Sequence, residues 1–389
     1  MTAFDAIARR QAELAAIRQD IHAHPELGME ERRTAELVAR KLEEWGIEVH
    51  RGVGGTGVVG VLRSGNGEAA IGLRADMDAL PMEEANDLPY RSTAPGRMHA
   101  CGHDGHTTML LGAAQYLAET RAFNGTVNFI FQPGEEGCGG ALAMLEDGLF
   151  ERFPCNQVFA MHNRPGLAVG EYAIRSGPTA AGGAFFDITV EGKGAHGARP
   201  EAGVDPVLAA CHIATALQSI VSRNMPPMET AVLSITKVTG GDAYNVIPQT
   251  AKLSGTARFF SDRARTLLQE GMQRVAEGVA AGLGATASLD FRLIFAPTVN
   301  AAEQTERFAA AAAELVGEAK VDRTKPPGMG SEDFSFMMER VPGAYLHVGN
   351  GDSASVHNQH YNFNDAAIPY GAALLARLVE REMPKGAVG

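Results

Sequence analysis

The sequence predicts an α/β protein whose main domain is interrupted by a smaller inserted α+β domain. Three observations predict it. First, short apolar runs end in chemically capable residues. Residues 70–73 lead into Arg74-Ala75-Asp76-Met77-Asp78, 127–131 into Gln132-Pro133-Gly134-Glu135-Glu136-Gly137, and 158–161 into His162-Asn163. In open α/β sheets the active site lies at the carboxyl ends of the strands, and core packing alone does not explain such endings. Second, after Gly182 the order becomes strand, helix, strand, strand, helix, strand, as in a ferredoxin-like split unit. Third, the pattern of the first 182 residues returns near residue 295. The division is therefore 1–182 and 295–389 for the main domain and 183–294 for the insertion.

The elements follow in order. Phe4, Ile7, Leu14, Ile17 and Ile21 recur at helical spacing over 3–22. His24-Pro25 ends that helix, because a residue before proline avoids the helical region. A second helix covers 30–45, with Val38, Leu42 and Trp45 on one face. Strands follow at 58–62 and 70–73, then a polar loop, a helix at 107–119, and strands at 127–131 and 158–161. The insertion reads as strand 184–191, helix 204–223, strands 230–239 and 250–260, helix 262–281 and strand 285–294. An Ala-rich helix at 301–317, a glycine-rich loop near 328–332, a strand at 344–348 and a helix at 367–382 complete the chain.

The composition bounds the function. The chain has 389 residues, 45% hydrophobic and 21% charged, ample for a buried core. Its net charge of -12 argues against a nucleic-acid binder, which shows a basic face. No run of 18 apolar residues exists to span a membrane, and the start lacks the apolar core of a signal peptide. Cys101, Cys138, Cys155 and Cys211 form no CxxC pair. A reducing cytoplasm is the expected location, and Cys138 reads as a packing residue.

The loop Met98-His99-Ala100-Cys101-Gly102-His103-Asp104-Gly105-His106 concentrates thiolate, imidazole and carboxylate, the side chains that bind transition metals. Further candidates are Glu135, Glu136, His162 and His357, each on a predicted loop or strand end. Adjacent carboxylates at 135 and 136 repel unless a cation neutralises them; alone they read as a solvated turn. One could bind metal while its neighbour serves as general base. His162 alone reads as a hydrogen-bonded strand histidine, and the segment with His357 and His360 as a surface loop. Asp76 and Asp78 suit carboxylates that orient ligating histidines. Five or six donors exceed the four that one zinc needs, which points to two ions.

These residues resemble a known family. The Cys101–His106 loop, Gln132-Pro133-Gly134-Glu135-Glu136-Gly137, Met161-His162-Asn163 and Gly192-Lys193-Gly194-Ala195-His196-Gly197-Ala198-Arg199-Pro200 are similar to the aminoacylase and hippurate hydrolase branch of the co-catalytic metallopeptidases. That branch includes auxin-conjugate and N-acetyldiaminopimelate amidohydrolases. His24-Pro25-Glu26-Leu27-Gly28, Asn245-Val246-Ile247-Pro248, Gly255-Thr256-Ala257-Arg258 and Gly330-Ser331-Glu332-Asp333-Phe334 extend the match along the whole chain. The resemblance implies a zinc-exopeptidase-like domain with a central mixed sheet, and a dimerisation role for the insertion. It implies two divalent ions per subunit (zinc or manganese, with cobalt or nickel as alternatives) on Cys101, His103, Glu136, His162 and His357. Glu135 would be the general base. His196 would reach the partner subunit's site and stabilise an oxyanion, and Asn245 and Arg258 would contact substrate. The segment His357-Asn358-Gln359-His360 departs from the family pattern, so His360 competes with His357 for the ligand role. The implied activity is amide hydrolysis of N-acyl amino acids by a homodimer or dimer-based oligomer. The alternatives are a dipeptidase or carboxypeptidase on the same scaffold, and a non-catalytic metal-binding protein.

Overall fold

The structure is a computed structural model and describes residues 2–385. The chain forms two compact units. One takes in Met1–Thr179, Val299–Pro326 and Asp333–Gly389, and the other Ala180–Thr298 and Pro327–Glu332.

The first unit is built on a mixed eight-stranded sheet. Strands β1 (Glu48–Val53), β2 (Gly57–Ser64), β3 (Ala70–Asp76), β4 (Gly125–Gln132) and β5 (Gln157–Pro165) lie in the order β1-β2-β4-β3-β5, and Gly343–Gly351, Tyr172–Ala173 and Val321–Asp322 follow. β3 is parallel to both β4 and β5, and Gly343–Gly351 is parallel to β5. Their carboxyl ends therefore open on one edge, which brings Asp76, Gln132 and His162 to a common rim. The helix His103–Thr120 packs beneath, with Met109, Leu110, Leu111, Ala113, Ala114 and Leu117 fully buried. Such a helix draws its stability from tertiary burial rather than from intrinsic propensity.

The second unit has an antiparallel sheet in the order Ala231–Gly240, Thr250–Phe259, Gly182–Glu191, Thr286–Phe295. The helices Pro206–Ser219 and Asp262–Gly282 pack on it, which completes the ferredoxin-like topology. Alternation in Gly182–Glu191 buries Ala184, Phe186, Ile188 and Val190 against them, as a half-buried strand requires.

Several expectations are corrected. The first helix is two, Ala3–Ala8 and Gln11–Ala23, because the Arg10 N–H turns back to Ile7 O and its side chain binds Glu119. The helix expected at 107 starts at His103, so His103 and His106 lie on a helix and not on a loop. Gly102, in the left-handed region at φ 96°, lets the chain enter that helix. The insertion's first helix ends at Ser219 and continues as a wider π turn, Ile220–Asn224. β1, a polar hairpin strand on the sheet edge, gave no apolar signal. Cys138 is exposed rather than packed.

Candidate metal centre

The donor atoms of Cys101, His103 and His162 lie within 4.8 Å of one another, and so do those of Cys101, Glu136 and His357. The two groups share Cys101. All five ligand residues expected from the sequence thus converge, on elements of one unit.

Each imidazole is aimed by its other nitrogen. His103 Nδ1 donates to Asp78 Oδ1 at 3.0 Å, leaving Nε2 buried and without a hydrogen-bond partner among the described residues. His162 Nδ1 donates to Asn163 O at 2.6 Å, so Nε2 turns its lone pair toward Cys101 Sγ, 3.2 Å away. Asp78 also accepts the Glu136 N–H at 2.9 Å, which ties one ligand's orientation to the next. His357 Nε2 is 3.0 Å from Glu136 Oε1. Its backbone sits at φ 62°, rare for a side-chain-bearing residue, and its N–H is tied to Ala100 O at 2.8 Å. His360 is exposed and belongs to neither donor group.

The neighbouring charges pull the candidate donors in opposite directions. Burial opposes charge on His103, yet Asp76 and Cys101 hold its imidazole well above its usual range. Hydrogen bonds to Cys101 and Glu136 push His357 up to about 10. Burial and then His106 press His162 well below the usual range, and burial raises the Cys101 thiol. An orphaned buried imidazole nitrogen and a mixed thiolate, imidazole and carboxylate donor set fit divalent transition ions.

Glu135 is buried, with Oε2 4.0 Å from His103 Nε2. His106 donates from Nδ1 to Asp76 at 2.6 Å and accepts the Asn163 N–H on Nε2 at 3.0 Å; with both nitrogens engaged, it is a support rather than a ligand. Asp104 binds Arg18 and His22. Sequence reasoning missed Asn163, whose Nδ2 donates to Cys101 O at 2.6 Å and whose Oδ1 accepts from Tyr361 at 2.8 Å. It also missed Arg74, which bridges Asp76 at 2.7 Å and Asp333 at 3.2 Å. A polar residue directly after a candidate ligand histidine was the signal for Asn163; an arginine within an apolar strand was the signal for Arg74.

The remaining expected residues belong to the other unit. His196, in the short strand Ala195–His196, pairs with Val246, and Gly197 N–H donates to Asn245 O at 2.7 Å, so His196 and Asn245 are brought together. His196 Nδ1 accepts the Ala198 N–H at 3.0 Å. Arg258, on Thr250–Phe259, is partly buried and donates to Thr256 Oγ1 at 2.5 Å.

Comparison with known proteins supplies the context. Over 368 residues the chain is 44% identical to hippurate hydrolase of Campylobacter jejuni, covering 95% of this chain and 96% of that one. It is 39% identical to an N-acetylcysteine deacetylase of Bacillus subtilis, over 94% and 95% of the two chains. A crystal structure described as a dinuclear metal-binding peptidase of the M20 family, from Bacillus subtilis, superposes with a TM-score of 0.85 at 34% identity, covering 96% and 98%. The model of peptidase family M20/M25/M40 matches residues 72–381, and the chain belongs to that family.

Proposed function

We propose that this chain is a metal-dependent amidohydrolase of N-acyl amino acids, with Cys101, His103, Glu136, His162 and His357 holding two divalent ions. The observation that carries the reading is the pair of donor groups sharing Cys101, with the further buried carboxylate of Glu135 beside them. The acyl-amide substrates in the names of its relatives support it. When bound, two ions would supply Lewis-acid polarisation of an acyl carbonyl and acidify a water.

The protein's own groups do the rest. Glu135 takes a proton from the attacking water and returns it to the leaving amine. Asp78 and Asn163 hold the imidazoles in place. His196 accepts at Nδ1, so in its neutral form the proton is on Nε2, available to donate to a developing oxyanion. Arg258 offers a planar fork suited to a carboxylate, and Asn245 stands beside His196 as a polar contact.

Residues 183–294 act in this reading as a dimerisation domain, with 1–182 and 295–389 as the catalytic domain. Ala231–Gly240 is an edge strand with Val232 and Val238 exposed, a surface suited to a second copy in a homodimer. Thiolate and imidazole favour zinc, carboxylate favours manganese, and cobalt or nickel also suit the set. The four free cysteines suit a cytoplasmic location, and no described helix is long and apolar enough to cross a membrane.

The test is metal analysis followed by an activity screen on acetyl-, benzoyl- and indoleacetyl-amino acids and on dipeptides, after loading each metal. Near two ions per chain and release of free amino acid from the acyl series are expected. Preference for dipeptides would move the reading to a peptidase. Failure to take up ions would end the enzyme reading.

A further inference from the structure

The sheet that presents His162 also gathers positive charge beside it. His162 and His347 are register partners on adjacent parallel strands, and their ring centroids are 6.3 Å apart. Arg164, two residues beyond His162 on the same strand, keeps the same face. Across the next strand, His347 pairs with Ala173, and Arg175 follows two residues later. Lys325 comes just after Val321–Asp322, and its Nζ lies 3.1 Å and 3.3 Å from the two ring nitrogens of His347.

Lys325 is only 6% exposed. A buried ammonium is ordinarily paired with a carboxylate. Among the described residues no carboxylate lies within ion-pair distance of Lys325, Arg164 or Arg175. Burial, then Arg164 and Arg175, push the Lys325 ammonium down to about 8. Asp322, which acts on both Lys325 and Arg164 without an ion pair to either, already accepts from the Thr324 N–H and hydroxyl, both at 2.8 Å. Arg175 gives Nη1 to Lys325 O at 3.1 Å, while its Nε is buried with no partner. Lys325 thus carries no ion pair, has Arg164 and Arg175 close enough to act on it, and lies one ring away from a proposed metal ligand. Structural ion pairs do not look like this, whereas sites for anionic ligands do.

We propose that Lys325, Arg164 and Arg175 form a carboxylate subsite that binds a second carboxylate of the substrate, in addition to the one on the amino acid's α-carbon. The preferred substrates are then N-acyl amino acids with an acidic side chain or a dicarboxylic acyl group. This rests on the amidohydrolase reading above. His347 separates the subsite from His162, so the second carboxylate binds within a small molecule's length of the scissile amide.

Lys325→Met tests this; it removes the charge at similar length and, because the charge is unpaired, is expected to leave Tm unlowered. Two substrate pairs are compared in parent and variant: N-acetylglutamate against N-acetylglutamine, and an N-succinyl against an N-butanoyl amino acid. At least one charged member is expected to lose about tenfold or more in kcat/KM, with its neutral isostere unchanged within about twofold. The pair that responds tells which end of the substrate carries the carboxylate. Equal effects on charged and neutral members of both pairs overturn the proposal. Calorimetric titration of glutarate into metal-free protein keeps the test separate from turnover. Binding by the parent and at least about tenfold weaker binding by Lys325→Met is expected, even if the amidohydrolase reading fails. Equal or absent binding in both overturns the subsite. A Lys325-dependent rise in turnover of the neutral substrates on adding free acetate would overturn the substrate assignment and give the site to a free anion.

Discussion

Around Cys101 both proposed ligating imidazoles of the sheet and its helix, His103 and His162, are gripped at their second nitrogen, and Cys101 and His103 are buried. His196 and Asn245, by contrast, sit exposed on a ladder of two residues. An ion site must be preorganised, because ligands that relax on binding lose affinity. A group that meets substrate only as charge develops has no such need, and exposure leaves it free to approach. The difference also separates what each region should lose on substitution. In the first region both metal and activity depend on each side chain. In the second, activity alone does.

The largest effect is expected from Cys101→Ala, which removes the donor common to both groups. Metal content should fall below one ion per chain, with activity lost; a variant with two tightly held ions by elemental analysis would break the shared-donor reading. Glu135→Gln should lower kcat by about 10²–10⁴-fold while keeping metal. Full activity would remove Glu135 from the base role. His196→Ala should cost about 10²–10³-fold in kcat with metal content unaltered. Mixing it with Glu135→Gln sharpens the comparison, since a site shared between subunits recovers part of the activity in mixed dimers. Asp78→Asn should weaken metal binding about 10–100-fold, measured by chelator competition, because it grips both His103 and the Glu136 backbone.

The smallest effect concerns the buried support behind the loop. Although burial opposes it, Asp104 and Glu84 push His22 up to about 9. A folded pKa above the unfolded ~6.5 gives stability that is complete below about 6.5 and is lost as pH rises through about 9. Tm should therefore drop by roughly a few degrees between pH 7 and pH 10, and His22→Asn should flatten that drop. An identical profile in the variant would place the titration elsewhere.

The strands that deliver Glu135, Glu136 and His162 were legible because each is an apolar run that leads into a candidate donor. The start of the helix at His103 was not, because its first turn is His-Asp-Gly-His and carries no helical pattern. Its beginning is set by Gly102, where an added Cβ would collide with Asn163 and Tyr361. Nor could the sequence show Arg18, His22 and Asp104 as one network, since their pairing spans more than 80 residues. The cationic group around Lys325 has the same origin. It exists only because strands far apart in the chain become neighbours in the sheet.

That neighbourhood has a consequence in time. Gly343–Gly351 lies between β5 and Tyr172–Ala173, yet it is synthesised only after the whole insertion. At ~5–20 residues per second the ribosome needs about 10–40 s to travel from β5 to that strand. Until then β5 presents an open edge, and the loop bearing His357 has not been made. A chain cut before Gly343 therefore lacks both the strand that covers β5 and one of the proposed donors, His357.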